Sequence, residues 1–251
     1  MYKLAVFDID GTLAVKGNEI PETTLIAIKK MKENGIECLI ATGRERENIG
    51  EILNTIGIEN YVACNGHYVK YKEEIIYRYT YPENVLEEIR KICENKEYCY
   101  GFSNGEGLYL SDIEKMREEQ AHHMLDSIKL LKDLEGEVEN IILFATDGGR
   151  HFKPLEKNYQ LIPWGNGMFD LLKIGRSKAV GIEEIAKRIG VEREKIISFG
   201  DGLNDLEMTK YAGLGVAMGN AKVELKKIAD YITDTASNDG IYKACKKFGL
   251  I

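Results

Sequence analysis

Residues 3–12 of the chain are Lys-Leu-Ala-Val-Phe-Asp-Ile-Asp-Gly-Thr, a short apolar run that ends in two aspartates, a glycine and a threonine. The run Leu4–Phe7 has the composition of a buried β-strand, and the polar residues follow it without a break. A second apolar run, Ile36–Ala41, is followed in the same way by Thr-Gly-Arg at residues 42–44. Polar groups that directly follow buried strands predict a site at the carboxyl edge of a sheet.

The first third of the chain alternates the hydrophobic periods typical of strands and helices. After the first strand, apolar residues recur at helical spacing over residues 25–31 and again over residues 49–56, and a glycine ends each of these helices. The run Tyr61–Cys64 is a third predicted strand. Strands that alternate with helices are joined by crossover connections, so this order predicts a parallel sheet.

The last third of the chain repeats this alternation. Ser177 is a typical N-cap for a predicted helix that Gly190 ends. A buried strand is predicted at Ile196–Phe199, then a short helix at Leu203–Tyr211 and another strand at Leu214–Ala217. We therefore expect the first and last thirds to form one α/β domain.

The residues between these two parts have a different pattern. They predict a charged helix that begins near Pro82, followed in order by a hairpin, a long polar helix, a strand and a second hairpin. The last four elements lie around residues 104–105, 113–134, 141–145 and 166–167. This order is typical of an α+β domain and lacks the alternation seen on either side. We therefore predict an inserted domain over residues 82–170 and a core domain formed by residues 1–81 and 171–251.

The composition of the 251 residues, 44% hydrophobic and 30% charged, is that of a globular protein with a substantial core. Its formal net charge of -7 predicts no general attraction to nucleic acid or to an anionic membrane. No apolar stretch approaches the length of a membrane helix, and the five cysteines are scattered without a C-x-x-C pair. We expect a reduced cytoplasmic protein that binds neither nucleic acid nor membrane; its oligomeric state stays open.

Four polar motifs define one candidate site, because each follows a predicted strand or opens a predicted helix. They are Asp8-Ile9-Asp10-Gly11-Thr12, Thr42-Gly43-Arg44, Lys178, and Gly200-Asp201-Gly202-Leu203-Asn204-Asp205. The four carboxylates of Asp8, Asp10, Asp201 and Asp205 cannot all ionise in one place without a compensating cation. Mg²⁺ prefers oxygen ligands and shares its coordination shell with substrate phosphate. The motifs therefore predict a Mg²⁺ site that binds a phosphate ester.

The remaining groups of these motifs suit phosphoryl transfer. Lys178 supplies a fixed positive charge and Thr42 a hydroxyl, while Gly43 allows backbone amides to approach phosphate oxygens. An ionised carboxylate can attack phosphorus, and a second carboxyl group can move protons to the leaving group and from water. We therefore expect Asp8 to be the nucleophile and Asp10 to be the general acid and base.

These four motifs, in this order, resemble those of the haloacid dehalogenase (HAD) superfamily of phosphatases. The position and size of the insertion resemble the C2-type cap of its Cof-like members. The resemblance implies a Rossmann-like core, Mg²⁺ as cofactor, an aspartyl phosphate on Asp8, and small phosphorylated metabolites such as sugar phosphates as substrates. It also implies roles for single residues, with Asp8, the Asp10 backbone oxygen and Asp201 on the metal, Thr42 and Lys178 on phosphate, and Asn204 and Asp205 in support.

Some assignments stay open at this stage. We count Asp205 with the metal-site carboxylates and Gly43 and Asn204 with the phosphate-binding groups, whereas Arg44 fits either a substrate contact or a structural ion pair. His67 fits either a substrate contact or an exposed loop, and Trp164 either a position facing the site or hairpin packing. The same motifs would also serve a phosphomutase, which returns the phosphoryl group to a sugar.

Overall fold

The computed structural model describes residues 1–114, 128–145, 147–165 and 167–251. The chain divides into two compact units, which we call the core unit and the insert unit. The core unit comprises Met1–Arg44, Ile49–Tyr77 and Arg176–Ile251, and the insert unit comprises Glu45–Asn48 and Arg78–Gly175. No helix among the described residues is long and apolar enough to cross a membrane.

The core unit contains one eight-stranded sheet. Its strands, in spatial order, are β14 (Tyr231–Ile232), β13 (Leu214–Ala217), β12 (Ile196–Gly200), β1 (Leu4–Phe7), β2 (Glu37–Ala41), β3 (Tyr61–Ala63), β4 (Tyr68–Tyr71) and β5 (Glu74–Arg78). Neighbouring strands from β14 to β3 run parallel, whereas β4 is antiparallel to β3. The predicted parallel sheet is therefore confirmed, with an antiparallel addition at one edge.

The helices of the core unit comprise four that lie close to the positions predicted by the apolar spacing and two, at Val223–Ile228 and Gly240–Lys247, that were not predicted. They are α1 (Glu22–Glu33), α2 (Gly50–Ile56), α4 (Lys178–Ile189), α5 (Leu206–Tyr211), α6 (Val223–Ile228) and α7 (Gly240–Lys247). Ser177 caps α4 by accepting the Val180 N–H, as predicted. Gly57 and Gly190 end α2 and α4 in the left-handed conformation that glycine adopts without steric cost.

Alternate residues of β1 face two different hydrophobic clusters. Ala5 and Phe7 belong to the cluster that contains Met31 of α1, whereas Leu4 and Val6 belong to the cluster that contains Ile185 of α4. Because successive strand residues point to opposite faces, helices cover this sheet on both sides. Because both faces of the sheet are buried, a ligand-binding site is expected at the ends of the strands.

The insert unit contains a six-stranded sheet and the helix α3 (Glu83–Lys96). The strands, in spatial order, are β10 (Tyr159–Gly165), β11 (Met168–Lys173), β9 (Asn140–Phe144), β6 (Cys99–Ser103), β7 (Leu108–Leu110) and β8 (Ile128–Leu130). Both predicted hairpins are present, because β6 pairs with β7 and β10 with β11 in antiparallel fashion. Short 3₁₀ helices lie in the chain at Arg46–Asn48, Leu131–Asp133, Arg150–Leu155, Arg193–Lys195, Leu203–Asp205 and Ala236–Asn238.

The polar helix expected around residues 113–134 needs a correction. Residues 115–127 lie outside the described residues, but the end of the segment is not α-helical. Ile128–Leu130 instead forms β8, which pairs in parallel with β7, so a strand partner distant in sequence outweighs the local helical pattern. Asn166 and the side chain of Trp164 also lie outside what the structure describes, so the two interpretations of Trp164 stay predictions.

The boundaries between the two units lie a few residues from the expected ones, which fall between residues 81 and 82 and between residues 170 and 171. Tyr81 packs in the hydrophobic cluster of the insert unit, so the chain has left the core unit before residue 82. At the other boundary, β11 continues to Lys173 as part of the insert sheet. Strand pairing and aromatic packing fix these limits, and neither is visible in a change of composition.

A polar network anchors the segment Glu45–Asn48 within the insert unit. Arg46 forms a bidentate ion pair with Glu139, through Nε at 2.8 Å and Nη2 at 3.1 Å. The Ser103 hydroxyl donates to Oε1 of Glu47 at 2.7 Å, whereas Oε2 of Glu47 is buried without a hydrogen-bond partner among the described residues. Burial, followed by the charge of Glu45, raises the pKa of Glu47 to about 7.

We expect Glu47→Gln to stabilise the protein at alkaline pH and to leave its stability nearly unchanged near pH 4. The folded protein raises the pKa of Glu47 from 4.5 to about 7, so the free energy of unfolding falls as the pH rises through this range. This shift corresponds to about 3 kcal/mol above pH 8, a penalty that the neutral amide avoids. Urea unfolding at pH 4 and pH 8.5 measures the difference.

The exposed Glu87 of α3 provides the matched control for this experiment. Glu87→Gln should leave the free energy of unfolding unchanged at both pH values, because a solvated carboxylate suffers no burial penalty. A stabilisation by Glu47→Gln that is the same at pH 4 and pH 8.5 would contradict the titration of Glu47.

Candidate active site

Asp8, Thr42 and Asp201 each directly follow one of three neighbouring parallel strands. They follow β1, β2 and β12, and β1 lies between the other two. The Asp8 N–H continues the ladder by donating to the carbonyl of Phe199 at 3.0 Å. Because parallel strands end at the same edge of a sheet, three residues from distant parts of the sequence meet at one place.

Three carboxylates cluster at this edge. Asp8, Asp201 and Asp205 each offer an oxygen within 4.8 Å of the other two. Lys178, in the first turn of α4, donates from Nζ to Oδ1 of Asp8 and to Oδ1 of Asp205, both at 2.7 Å. Lys178 is completely buried, so these two carboxylates replace the water that would otherwise solvate its charge.

The pKa values of the cluster show an excess of negative charge. Burial raises the pKa of Asp8 well above its usual range; Lys178 opposes this shift and the charge of Asp205 adds to it. Burial, followed by the charge of Asp205, raises the pKa of Asp201 to about 6. Burial disfavours the charged form of Lys178, yet the carboxylates of Asp205 and Asp8 raise its pKa. A second cation would favour full ionisation, and this oxygen donor set fits a hard divalent ion.

Two residues to which the sequence analysis assigned no individual role hold Asp201. Thr12 donates from Oγ1 to Oδ1 of Asp201 at 3.2 Å, and Asn220 donates from Nδ2 to Oδ2 at 3.2 Å and to the Gly11 carbonyl at 2.9 Å. Gly11 has a φ of 80°, and a Cβ there would lie 2.4 Å from Oδ2 of Asp201. Thr12 belongs to the first motif, which follows β1, and Asn220 follows β13. The position of each residue shortly after a strand could therefore have identified it as part of the site.

Asp205 connects the loop after β12 to the buried lysine. Its Oδ2 accepts the backbone N–H of Asp201 at 2.9 Å and that of Gly202 at 2.8 Å, while its Oδ1 accepts from Lys178. Three hydrogen bonds to a single carboxylate fix both the loop and the ammonium group. Asp205 therefore lies in the carboxylate cluster, as expected, and also orients its neighbours.

Asp10 forms an ion pair with Arg44. Arg44 donates from Nε to Oδ2 at 2.9 Å and from Nη2 to Oδ1 at 2.6 Å, and from Nη1 to Asn18 at 2.8 Å. The Asp10 side chain is 61% exposed, and the carboxylate cluster found among the described residues does not include it. Of the four carboxylates expected together, the structure thus groups three, because Arg44 holds the fourth. Of the two interpretations of Arg44, the ion pair is the one observed.

The groups expected to bind phosphate lie beside the carboxylate cluster. Thr42 is buried, and its Oγ1 accepts the Arg44 N–H at 3.1 Å. A Cβ on Gly43 would lie 3.3 Å from Nδ2 of Asn204, so the second and fourth motifs are in close contact. His67 is completely buried, which excludes the exposed-loop interpretation.

Comparisons with known proteins agree with this geometry. A family profile described as haloacid dehalogenase-like hydrolase matches residues 5–245. YkrA of Bacillus subtilis (strain 168) is 34% identical over 259 residues, which cover 99% of this chain and 98% of YkrA. The 5-amino-6-(5-phospho-D-ribitylamino)uracil phosphatase YitU of the same strain is 28% identical, over 98% of this chain and 97% of YitU.

A solved structure extends the likeness to the fold. The structure of BT4131, described as a sugar phosphatase of HAD subclass IIB, has a TM-score of 0.86 and 31% identity, and covers 99% of this chain and 100% of its own. The likeness covers nearly the full length of both proteins and confirms the α/β fold and the resemblance drawn from the four motifs. The chain is therefore a phosphatase that belongs to the haloacid dehalogenase-like hydrolase family.

Proposed function

We propose that this enzyme hydrolyses small phosphate monoesters in a Mg²⁺-dependent reaction that passes through an aspartyl phosphate on Asp8. The observation that carries the proposal is the buried Lys178 ammonium between Asp8 and Asp205, with Asp201 in the same cluster. The names of YitU and BT4131 support phosphorylated metabolites, and sugar phosphates among them, as the substrate class.

The proposed oxygen ligands of Mg²⁺ are the carboxylates of Asp8 and Asp201 and the backbone carbonyl of Asp10. The Asp205 carboxylate lies beside them. When bound, Mg²⁺ would offset the excess carboxylate charge and polarise the phosphoryl group. Thr12 and Asn220 hydrogen-bond to Asp201, as the outer partners of a metal ligand do, and so fix the orientation of its carboxylate.

In the proposed first step, Asp8 attacks phosphorus, the bond from phosphorus to the ester oxygen breaks, and Asp10 donates a proton to that oxygen. In the second step, Asp10 takes a proton from water, which attacks the phosphorus of the aspartyl phosphate and restores Asp8. Lys178 holds the attacking carboxylate and stabilises charge on the phosphoryl oxygens. The Asp10 side chain is 61% exposed, but Arg44 binds both of its oxygens, so these proton transfers require the ion pair to open.

A phosphomutase would use the same aspartyl phosphate but return the phosphoryl group to a sugar. The motifs of the core do not separate the two reactions. The relatives named above as phosphatases favour water as the acceptor. Release of inorganic phosphate without a bisphosphorylated activator distinguishes hydrolysis from transfer between sugars.

We expect the enzyme to release inorganic phosphate from several members of a panel of sugar phosphates in the presence of Mg²⁺. Dialysis against a chelator should lower this rate at least about 100-fold, because the carboxylates lose their compensating cation, and added Mg²⁺ should restore it. Enzyme dialysed without chelator is the control. Undiminished hydrolysis after chelation would refute the metal dependence, and isomerisation of a sugar phosphate without phosphate release would identify a mutase.

A further inference from the structure

The turn that follows β3 has an unusual backbone. Cys64, Asn65 and Gly66 all have positive φ angles, of 49°, 51° and 101°. Such angles are unfavourable for side chains other than glycine, although asparagine tolerates them better than most. Both Cys64 and Asn65 are buried. The surrounding contacts must therefore hold this turn in place, and those contacts involve the candidate active site.

The backbone of the turn forms hydrogen bonds with the two residues that flank Gly43 in the second motif. The Asn65 N–H donates to the Thr42 carbonyl at 3.0 Å, and the Cys64 N–H donates to the Arg44 carbonyl at 3.0 Å. A Cβ on Gly43 would lie 3.1 Å from Nδ2 and 3.2 Å from Oδ1 of Asn65. The Asn65 amide therefore packs directly against the Gly43 backbone.

The same amide contacts the fourth motif. Asn204 donates from Nδ2 to Oδ1 of Asn65 at 3.0 Å. Asn204 belongs to the loop in which Asp201 and Asp205 lie, and that loop carries two of the three clustered carboxylates. Asn65 thus connects the backbone of the second motif to the loop of the fourth.

The turn is also fixed to the start of α4. Arg176 donates from Nε and Nη2 to the Gly66 carbonyl, at 3.0 Å and 2.6 Å. The Arg176 guanidinium is buried, pairs with Glu184 at 2.8 Å and stacks 3.6 Å from the centre of the Tyr77 ring. A Cβ on Gly66 would lie 2.3 Å from the carbonyl oxygen of Ser177, the residue before Lys178. The turn therefore contacts the second and fourth motifs and the residue that precedes Lys178.

We propose that Asn65 is a positioning residue for the phosphate site. Its amide sets the distance between the Gly43 backbone and the Asn204 side chain, so that both are held where phosphoryl oxygens bind. Arg176 holds the turn that presents Asn65. This inference rests on the proposed function, because that function supplies phosphate as the ligand, but Asn65 acts through its neighbours and need not touch the substrate.

Two substitutions test this role without disturbing the backbone. Asn65→Gly removes the amide and tolerates the positive φ. Asn65→Asp keeps an acceptor for Asn204 and the tolerance of positive φ, but places a negative charge beside the phosphate site. For both variants we expect inorganic phosphate, titrated by calorimetry with Mg²⁺ present, to bind at least about tenfold more weakly than to the wild type. The KM for a phosphate ester should rise by a similar factor, with a smaller change in kcat.

Asn60, at the other end of β3, provides the matched control. It is also buried, and its Nδ2 donates to Glu37 at 2.6 Å while its Oδ1 accepts the Lys72 N–H at 2.8 Å. Asn60→Gly should lower the melting temperature but leave the Kd for phosphate and the KM unchanged. This comparison separates positioning of the site from a general loss of stability.

The proposal is overturned if Asn65→Gly and Asn65→Asp bind phosphate as tightly as the wild type, if Asn60→Gly weakens binding equally, or if the wild type binds no phosphate. Failure of the proposed function has a different result. A wild type that binds phosphate but hydrolyses no ester would refute the function, while the calorimetric comparison would still decide the role of Asn65.

Discussion

Asp8→Asn is expected to lower turnover by at least about 10⁴-fold, the scale of loss found when a catalytic nucleophile is removed. The amide keeps the shape of the side chain but removes the anionic oxygen that attacks phosphorus, so no aspartyl phosphate forms. The protein should remain folded, because Lys178 keeps its ion pair with Asp205 at 2.7 Å. Phosphate release and thermal unfolding of the purified variant measure the two effects.

Asp10→Asn is the informative partner of this variant. It keeps the nucleophile but lacks the base that activates water, so a substrate with a good leaving group should phosphorylate the enzyme and the release of phosphate should be slow. General-base catalysis contributes about 10²–10⁴-fold, so this defect should be smaller than that of Asp8→Asn. Rapid acid quenching followed by mass spectrometry should find the phosphate on the peptide that contains Asp8.

Two outcomes would defeat the covalent mechanism. One is robust turnover by Asp8→Asn. The other is inversion of configuration at phosphorus when the wild type hydrolyses a chiral phosphate ester, because two successive displacements through an aspartyl phosphate would give retention. Either result would indicate direct attack by water, with the carboxylate cluster serving the metal alone.

The location of the site was predictable because it depends on backbone periodicity. Apolar runs identified β1, β2 and β12, and the rule that parallel strands end at one edge brought Asp8, Thr42 and Asp201 together before any coordinates were known. The cap at Ser177 likewise identified the start of α4 and so the place of Lys178. These predictions need only the order and type of the elements.

The position of the Asp10 side chain was not predictable in the same way. Its sequence position two residues after Asp8 suggested a place in the carboxylate cluster, but the guanidinium of Arg44 lies close enough to bind both of its oxygens. Whether a side chain points toward one neighbour or another depends on tertiary distances. Neither the hydrophobic period of a sequence nor the spacing of its motifs indicates such distances.

The turn at Asn65 shows a second limit of sequence analysis. The Asn-Gly pair after β3 indicates a turn, yet its amide matters because the second and fourth motifs lie on either side of it. The hairpin of β4 and β5 and the strand β14 were also missed, since they are short elements at the edges of the sheet. Edge elements bury fewer apolar side chains, so their hydrophobic pattern is weak.

Lys178→Met should cause the largest combined loss of stability and activity. Met has nearly the same length and keeps the buried stem packed, but it leaves Asp8 and Asp205 without the cation that pairs with both. Removing one partner from a buried ion pair costs about 3–5 kcal/mol, and loss of a cation that stabilises phosphoryl transfer costs about 10³-fold or more in turnover. Urea unfolding and phosphate release, both with Mg²⁺ present, measure the two effects.

Lys187→Met, on the same helix, provides the matched control because it removes the same charge from a different environment. Lys187 also forms an ion pair at 2.7 Å, with Glu183, but its side chain is 72% exposed. Water screens such a pair, so its removal should leave the free energy of unfolding nearly unchanged and turnover at the wild-type rate. If Lys178→Met kept wild-type turnover, or if the two variants lost stability equally, the buried ammonium would not be the group that organises this site.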